Sequence, residues 1–366
     1  MAGTFSYQKE RVEKLRELMA ENKIDAFLVP TGPNFFYFTG FETESHERLT
    51  LMFISRDEHF ILAPKLMEEQ LHLHTWIDDV RPWTDEQNPH RIARDYLEKI
   101  NASTVAIDGL LPYFHYAPLF HNSNSKEILG DSYTSALRMV KDREEMENIS
   151  TAVRKSEESL KDTLDFVSEG VTEKSVAVKL AENFEKRGLD VPAFESIVAA
   201  GENSSVPHHT PSERKIARYE PIIIDFGGRY RGYASDTTRT LYIDRAAPEM
   251  EEIYEVNREA QETTIESLNP ETTYADADRI AREIISRKGY GNNFIHRLGH
   301  GLGISVHEDP YLVPDNKKPM IENSVFTIEP GIYLPGKGGV RIEDTVYFQN
   351  GKCKPFNTFP KSITYI

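Results

Sequence analysis

One order of elements runs twice through the second part of the chain. A charged helical stretch extends from about Met139–Arg143 to about Val167, a second spans 173–188, and strand-rich sequence follows from Phe194 to Ile243. Helical sequence returns at 248–268 and 275–288. Strand-rich sequence then resumes from Phe294 to the end, an offset of roughly 105 residues. Each half carries a pair of acids in apolar or glycine-bearing surroundings. Asp225 (IIIDFGG) goes with Asp236 (YASDTTRT), and Glu329 (VFTIEPGIY) with Glu343 (GVRIEDTV). Their spacings, 11 and 14 residues, suit hairpins whose strands turn one side chain each to a shared face. Gly227, Gly228 and Gly232 mark the first turn; Gly336, Gly338 and Gly339 mark the second. Two such hairpins facing each other would gather four carboxylates about one point. The layout that follows is α+β: a curved sheet cradled by four helices, in two similar halves.

The first part reads differently. Residues 7–22 place Val12, Leu15, Leu18 and Met19 at helical spacing, and DAFLVP (25–30) reads as a buried strand. LTLMFIS (49–55) and HFILAP (59–64) predict two strands joined by the polar turn 56–58. A helix is expected over 88–100 and a strand at TVAIDG (104–109), giving a smaller α/β domain. The expected division is 1–136 and 137–366. The aromatic segment TGPNFFYFTGF (31–41) reads as a core-capping loop, or else as a wall or dimer contact at an active site. No G-x-G-x-x-G follows a strand, which argues against a dinucleotide site.

Charge and cysteine content narrow the setting. The net charge of −16 argues against nucleic acid, whose phosphates repel such a surface. No run approaches the ~18–20 apolar residues of a membrane span. The single cysteine, Cys353, excludes an internal disulfide and a thiolate metal site, which suits a reducing cytoplasm.

A carboxylate left unpaired among Ile, Val and Phe costs several kcal/mol. Asp225, Asp236, Glu329 and Glu343, together with His300 (RLGHGLGI), therefore call for a common counter-charge. Four carboxylates and one imidazole are what two divalent cations sharing a water require, and the oxygen-rich set favours manganese or cobalt over a thiolate-style zinc site. Taken singly, Asp225 also reads as a strand-end cap and Glu329, before Pro330, as a turn residue. Around these lie further candidates. His208 and His209 occupy a polar loop (SSVPHHTPSER), and His209 reads equally as an ordinary loop residue. His296 lies four before His300 and is a structural histidine or a site residue. His307 lies seven beyond His300 and pairs with Glu308 either at a site or on the surface. Arg341 shares a strand face with Glu343. Imidazoles and a guanidinium beside an activated water are what amide hydrolysis needs, to bind a developing oxyanion and to protonate a leaving nitrogen. There is no G-x-S-x-G, H-E-x-x-H or P-loop.

These contexts resemble the pita-bread metallopeptidases, the group of methionine aminopeptidase, aminopeptidase P and prolidase. DFGGRYRGYASDTTRT, HRLGHGLGISVHEDP, FTIEPGIY and GVRIEDTV match in order, and the first part resembles the creatinase/prolidase N-terminal domain. The resemblance implies a C-terminal pita-bread fold with pseudo-twofold halves. It makes Asp225, Asp236, His300, Glu329 and Glu343 the ligands of two divalent ions per subunit, manganese first and cobalt or zinc otherwise. It gives His208 and His307 substrate-binding and proton-handling roles, makes Glu329 the proton shuttle, and puts His296 and Arg341 along the pocket. Many relatives have glycine where His209 stands. The implied activity is an Xaa-Pro dipeptidase (prolidase) hydrolysing the bond before proline with a metal-bridged hydroxide. Aminopeptidase P acting on longer Xaa-Pro peptides is one alternative, and a non-peptide hydrolase or lyase on the same scaffold another. The implied partners are small peptides with proline second and a second copy of the chain. A peptide-binding module without chemistry would have no use for five such ligands.

Overall fold

The computed structural model describes residues 5–44, 47–121 and 123–366. The chain divides into two compact units, Met1–Arg138 and Met139–Ile366.

The first unit is built on a six-stranded mixed sheet. Its strands are β1 (Ala26–Pro30), β2 (Leu51–Ser55), β3 (His59–Pro64), β4 (Val80–Trp83), β5 (Thr104–Ile107) and β6 (Lys126–Leu129), in the order β4-β3-β2-β1-β5-β6. Strands β1 and β2 are buried along their whole length, which is why they read as unbroken apolar runs rather than alternating ones. The helices are α1 (Ser6–Glu21), α2 (Pro33–Thr39), α3 (Glu68–His74), α4 (Pro89–Lys99), α5 (Tyr113–Phe120) and α6 (Asp131–Met139). In α1, Val12, Leu15 and Met19 form the buried stripe that its periodicity predicts. The aromatic segment expected to be a loop is instead the short helix α2. Pro33 opens it, Gly40 closes it in the left-handed region at φ 78°, and Phe35, Tyr37 and Phe38 are buried.

The second unit carries the repeat. Its helices are α7 (Arg143–Leu164), α8 (Glu173–Lys186), α9 (Pro248–Ser267) and α10 (Tyr274–Arg287). Helix α7 starts at an Asp142–Glu145 capping box and α10 at a Thr273–Asp276 one, so both starts are set by local sequence. The first half contributes β7 (Ile197–Ala200), β8 (Ile222–Phe226), β9 (Arg229–Tyr230), β10 (Tyr233–Ala234) and β11 (Thr237–Tyr242). The second contributes β12 (Gly299–Gly301), β13 (Glu308–Leu312), β14 (Ser324–Ile328), β15 (Gly331–Leu334), β16 (Gly338–Arg341), β17 (Asp344–Gln349) and β18 (Lys352–Pro355), with β19 (Thr364–Tyr365) at the end.

In each half a long antiparallel pair, β8–β11 or β14–β17, encloses a small hairpin, β9–β10 or β15–β16. These inner hairpins leave the main sheets. The single curved sheet expected from sequence is therefore two sheets, β19-β11-β8-β7 and β13-β12-β14-β17-β18, and an isolated bridge pairs Thr238 with Glu343 across them. Each half has its own core. Leu160, Leu180 and Phe184 pack under Ile222 and Ile224 in the first, while Tyr254, Ala277 and Ile285 pack under Phe326 and Val346 in the second. The α+β class and the pita-bread arrangement of two similar halves are both present.

Candidate metal centre and active site

The register places the acids. On β8 and β11, Thr238 stands opposite Asp225 and Thr237 opposite Phe226, so Asp236 immediately precedes the return strand, beyond the Asp225 level. On β14 and β17, Ile328 stands opposite Asp344, so Glu329 and Glu343 lie next along the same pair. The Thr238–Glu343 bridge then brings the two halves' acids together. His300 comes from β12, which joins β14 at Gly301–Phe326. The two glycines beside it allow that approach. A Cβ on Gly299 would lie 2.0 Å from the Thr327 carbonyl oxygen, and one on Gly301 2.2 Å from that of Asp309.

Ligating atoms of Asp236, His300 and Glu343 all lie within 4.8 Å of one another, and all three residues are buried. Asp225 lies near enough for its charge to act on the Asp236 carboxyl. Glu329 Oε1 is 3.3 Å, and Asp236 Oδ2 3.6 Å, from His300 Nε2. His300 Nδ1 lies 3.1 Å from the Gly301 carbonyl, so a proton held there leaves the Nε2 lone pair facing the acids. Thr327 Oγ1 accepts from the His300 amide and donates to Glu329 Oε1, tying imidazole to carboxylate.

The electrostatics show the strain of this arrangement. Burial raises the Asp236 carboxyl well above the usual carboxylate range, and the neighbouring Asp225 and Glu329 push it further. Glu343 is raised in the same way, by burial and then by Asp236 and Glu329. Glu329 goes the other way. Burial opposes its charge, but His300, His296 and Arg341 together hold it below the usual range. The one guanidinium within the cluster, Arg341, pairs with Asp225 Oδ2 at 2.7 Å and donates to Thr238 and to the Tyr333 hydroxyl. The other Asp225 oxygen, Oδ1, is buried with no hydrogen-bond partner among the described residues. One cation for four acids leaves an uncompensated anionic site, and an orphaned carboxylate oxygen, four oxygen donors and one imidazole fit oxygen-preferring divalent cations.

The other candidates surround this cluster. The His307 ring meets the His300 ring edge-on, centroids 4.2 Å apart. Burial first, then the positive fields of His300 and Arg297, lower its pKa to about 4. His296 Nε2 contacts the Tyr333 hydroxyl at 3.0 Å, the same hydroxyl Arg341 reaches, and burial lowers the His296 pKa. His208 lines the cavity from an exposed loop. That cavity, about 450 Å³, has the acid cluster at its floor, with Phe194, Ile197, Pro207 and Val306 as apolar wall.

Sequence reasoning missed three contributors. Glu173, buried at the start of α8, accepts from the His209 ring (2.8 Å), the Ser212 hydroxyl (2.6 Å) and the Ala200 amide (2.8 Å), so the loop bearing His208 is latched to a helix. Arg239, wholly buried, donates to the Glu343 carbonyl (2.6 Å) and Asp344 (2.7 Å) and so supports Glu343 from below. Arg297 lines the cavity between His296 and His300. The available signal was a charge inside an apolar stretch, which Arg239 and Asp344 share with the five ligand candidates.

An acid-and-imidazole cluster on the floor of a twofold α+β unit defines the class of pita-bread metallopeptidases. The chain belongs to metallopeptidase family M24: residues 147–350 match that family's model, and residues 11–140 match the creatinase/prolidase N-terminal domain. An Xaa-Pro dipeptidase of Pyrococcus furiosus is 35% identical over 94% of this chain and 97% of its own. One of Lactobacillus helveticus is 34% identical over 97% and 98%. The solved structure of a recombinant prolidase from Thermococcus sibiricus superposes with a TM-score of 0.93 at 34% identity, covering 100% of both chains.

Proposed function

We propose that this protein is a metal-dependent Xaa-Pro dipeptidase. The observation that carries the reading is the convergence of Asp236, His300 and Glu343 within one coordination sphere's reach, with Asp225 and Glu329 beside them in the same cavity. Relatives named as Xaa-Pro dipeptidases, alike over nearly their whole length, support the substrate class.

In this reading Asp225, Asp236, His300, Glu329 and Glu343 hold two divalent cations, manganese first and cobalt or zinc otherwise. Such ions would supply Lewis acidity and would lower the pKa of water at the site toward neutrality. The chain's own residues do the rest. The cavity's apolar wall takes the pyrrolidine ring, which offers no N–H and so needs no acceptor. His307, neutral near pH 7, and His208 stand over the cluster to donate to the carbonyl oxygen as it becomes anionic. Water attacks the Xaa carbonyl carbon. Glu329 accepts the proton released and returns it to the proline nitrogen as the C–N bond breaks. Arg341 and His296, both anchored on Tyr333, fix the wall beside Asp225. Among the described residues no helix is long and apolar enough to cross a membrane. The same reading takes the protein as a cytoplasmic homodimer divided near residue 136. The test is hydrolysis of Xaa-Pro dipeptides by protein loaded with manganese, against chelated protein. Turnover that is metal-dependent and requires proline in second position is expected, and its absence with every Xaa-Pro peptide would end the reading.

A further inference from the structure

Next to the loop that carries His307 lies a buried ion pair that the hydrolysis described above does not use. Lys141 Nζ sits 2.7 Å from Glu308 Oε1, with the lysine side chain fully enclosed and that of the glutamate 9% exposed. Burying such a pair is seldom a gain in stability. The desolvation of two charges cancels much of their attraction, and an apolar pair of similar volume would serve as well. What a buried pair supplies is direction, because each charge must meet the other at one place. Here both ends are fixed. Lys141 donates its backbone amide to the Asn323 carbonyl (2.9 Å), immediately before the capping box that starts α7. Glu308 opens β13 directly after His307, and its second oxygen accepts the Ser305 amide (3.2 Å), folding the carboxylate back across the loop. Gly303 makes room for the pair, since a Cβ there would lie 2.8 Å from Glu308 Oε1 and 3.1 Å from Lys141 Cε. From the first half's inner hairpin, Arg229 donates to the Ile304 carbonyl (2.6 Å) and the Ala234 amide to the Gly303 carbonyl (2.8 Å). The loop is thus held at 303–305 and again at 308, and between these points His307 turns its ring edge-on to His300.

We propose that Lys141, acting through Glu308, is a positioning residue that aims the His307 imidazole at the substrate's carbonyl oxygen. This rests on the role given to His307 in the Xaa-Pro reading above. A donor to a developing oxyanion acts over a narrow range of distance and angle, and a misplacement of about 1 Å can cost about 100-fold in rate. A loop that settles elsewhere therefore costs turnover rather than binding.

The test takes manganese-loaded Lys141→Met, Glu308→Gln, the double variant and Lys141→Arg through Ala-Pro kinetics, manganese content, thermal melting and crystallography. Lys141→Met and Glu308→Gln should each lower kcat about 10- to 100-fold, with KM within about threefold and manganese content unchanged. The double variant should be no slower than the slower single one, because the same link is cut twice, and Lys141→Arg should recover part of the rate. In a His307→Ala background, Lys141→Met should change kcat by less than about twofold, which a general loosening of the fold would not do. In crystals of Glu308→Gln, the isosteric variant that stands in should Lys141→Met fail to fold, the His307 ring should leave its place against His300. An unchanged kcat in Glu308→Gln, loss of manganese, or an undiminished loss of rate in the His307→Ala background would overturn the assignment. If the wild type cleaves no Xaa-Pro peptide, the peptidase reading fails and the crystals decide: a displaced ring keeps the positioning of His307, and an unmoved ring ends it.

Discussion

Asp236 and Glu343 are buried so deeply, and so close to other acids, that neither would carry its charge without a cation at hand. Asp236→Ala or Glu343→Ala should therefore abolish metal content and turnover together, read as manganese per chain beside Ala-Pro hydrolysis. His307 touches the His300 ring but is assigned to the substrate side. His307→Ala should retain manganese and lose ~10²–10⁴ in kcat. An emptied site in that variant would mean its role is misassigned. At this scale the sequence was informative wherever a charge sat among apolar residues. It was silent about Glu173, whose neighbours are polar, and about Arg297, and the importance of both comes from what the fold brings to them. His209 shows the limit well, since a loop histidine beside a second histidine has no visible partner until Glu173 arrives from 36 positions away.

Helix α8 and the 206–212 loop act together through that contact. Removing the imidazole leaves the loop tied to Glu173 at Ser212 but loosens the stretch that presents His208. His209→Ala should raise KM for Ala-Pro roughly tenfold, keep kcat within about twofold and leave manganese content unchanged, with His209→Gln restoring most of the affinity. An unaltered KM would show that the latch does not position the loop. Among the elements, the paired hairpins were legible because glycines and strand-forming runs fix their ends. The inner ribbons β9–β10 and β15–β16 were not, because each is only two to four residues long and its pairing is set by the outer strands. Helix α2 was misread for a different reason. Its aromatics suggest a cap over the core, while the start signal at Pro33 and the stop signal at Gly40 delimit only seven residues between them.

Across the whole molecule, the α/β unit's stability is linked to pH by its own histidines. Burial, and then the charge of His90, lower the His115 pKa from 6.5 to about 4, and His90 is lowered as well. The folded pKa lies below the unfolded one, so the unfolded chain takes up protons first as pH falls. Stability from neutral His115 is present above about 6.5 and is lost as pH falls toward 4. The urea midpoint should therefore drop between pH 7 and 5, and the drop should be smaller in His115→Asn, which keeps a polar group facing His90. Equal drops would remove the histidine from the explanation. The two similar halves of the second unit were visible in element order alone, whereas the joining of two sheets at Thr238–Glu343 was not, since one bridge leaves no periodic trace. The most direct measurement is anomalous diffraction at the manganese edge from manganese-loaded crystals. Two peaks between the Asp225–Asp236 strand pair and the Glu329–Glu343 pair, with His300 Nε2 beside one, are expected. Peaks elsewhere, or none in protein that cleaves Ala-Pro, would contradict the metal-centred account.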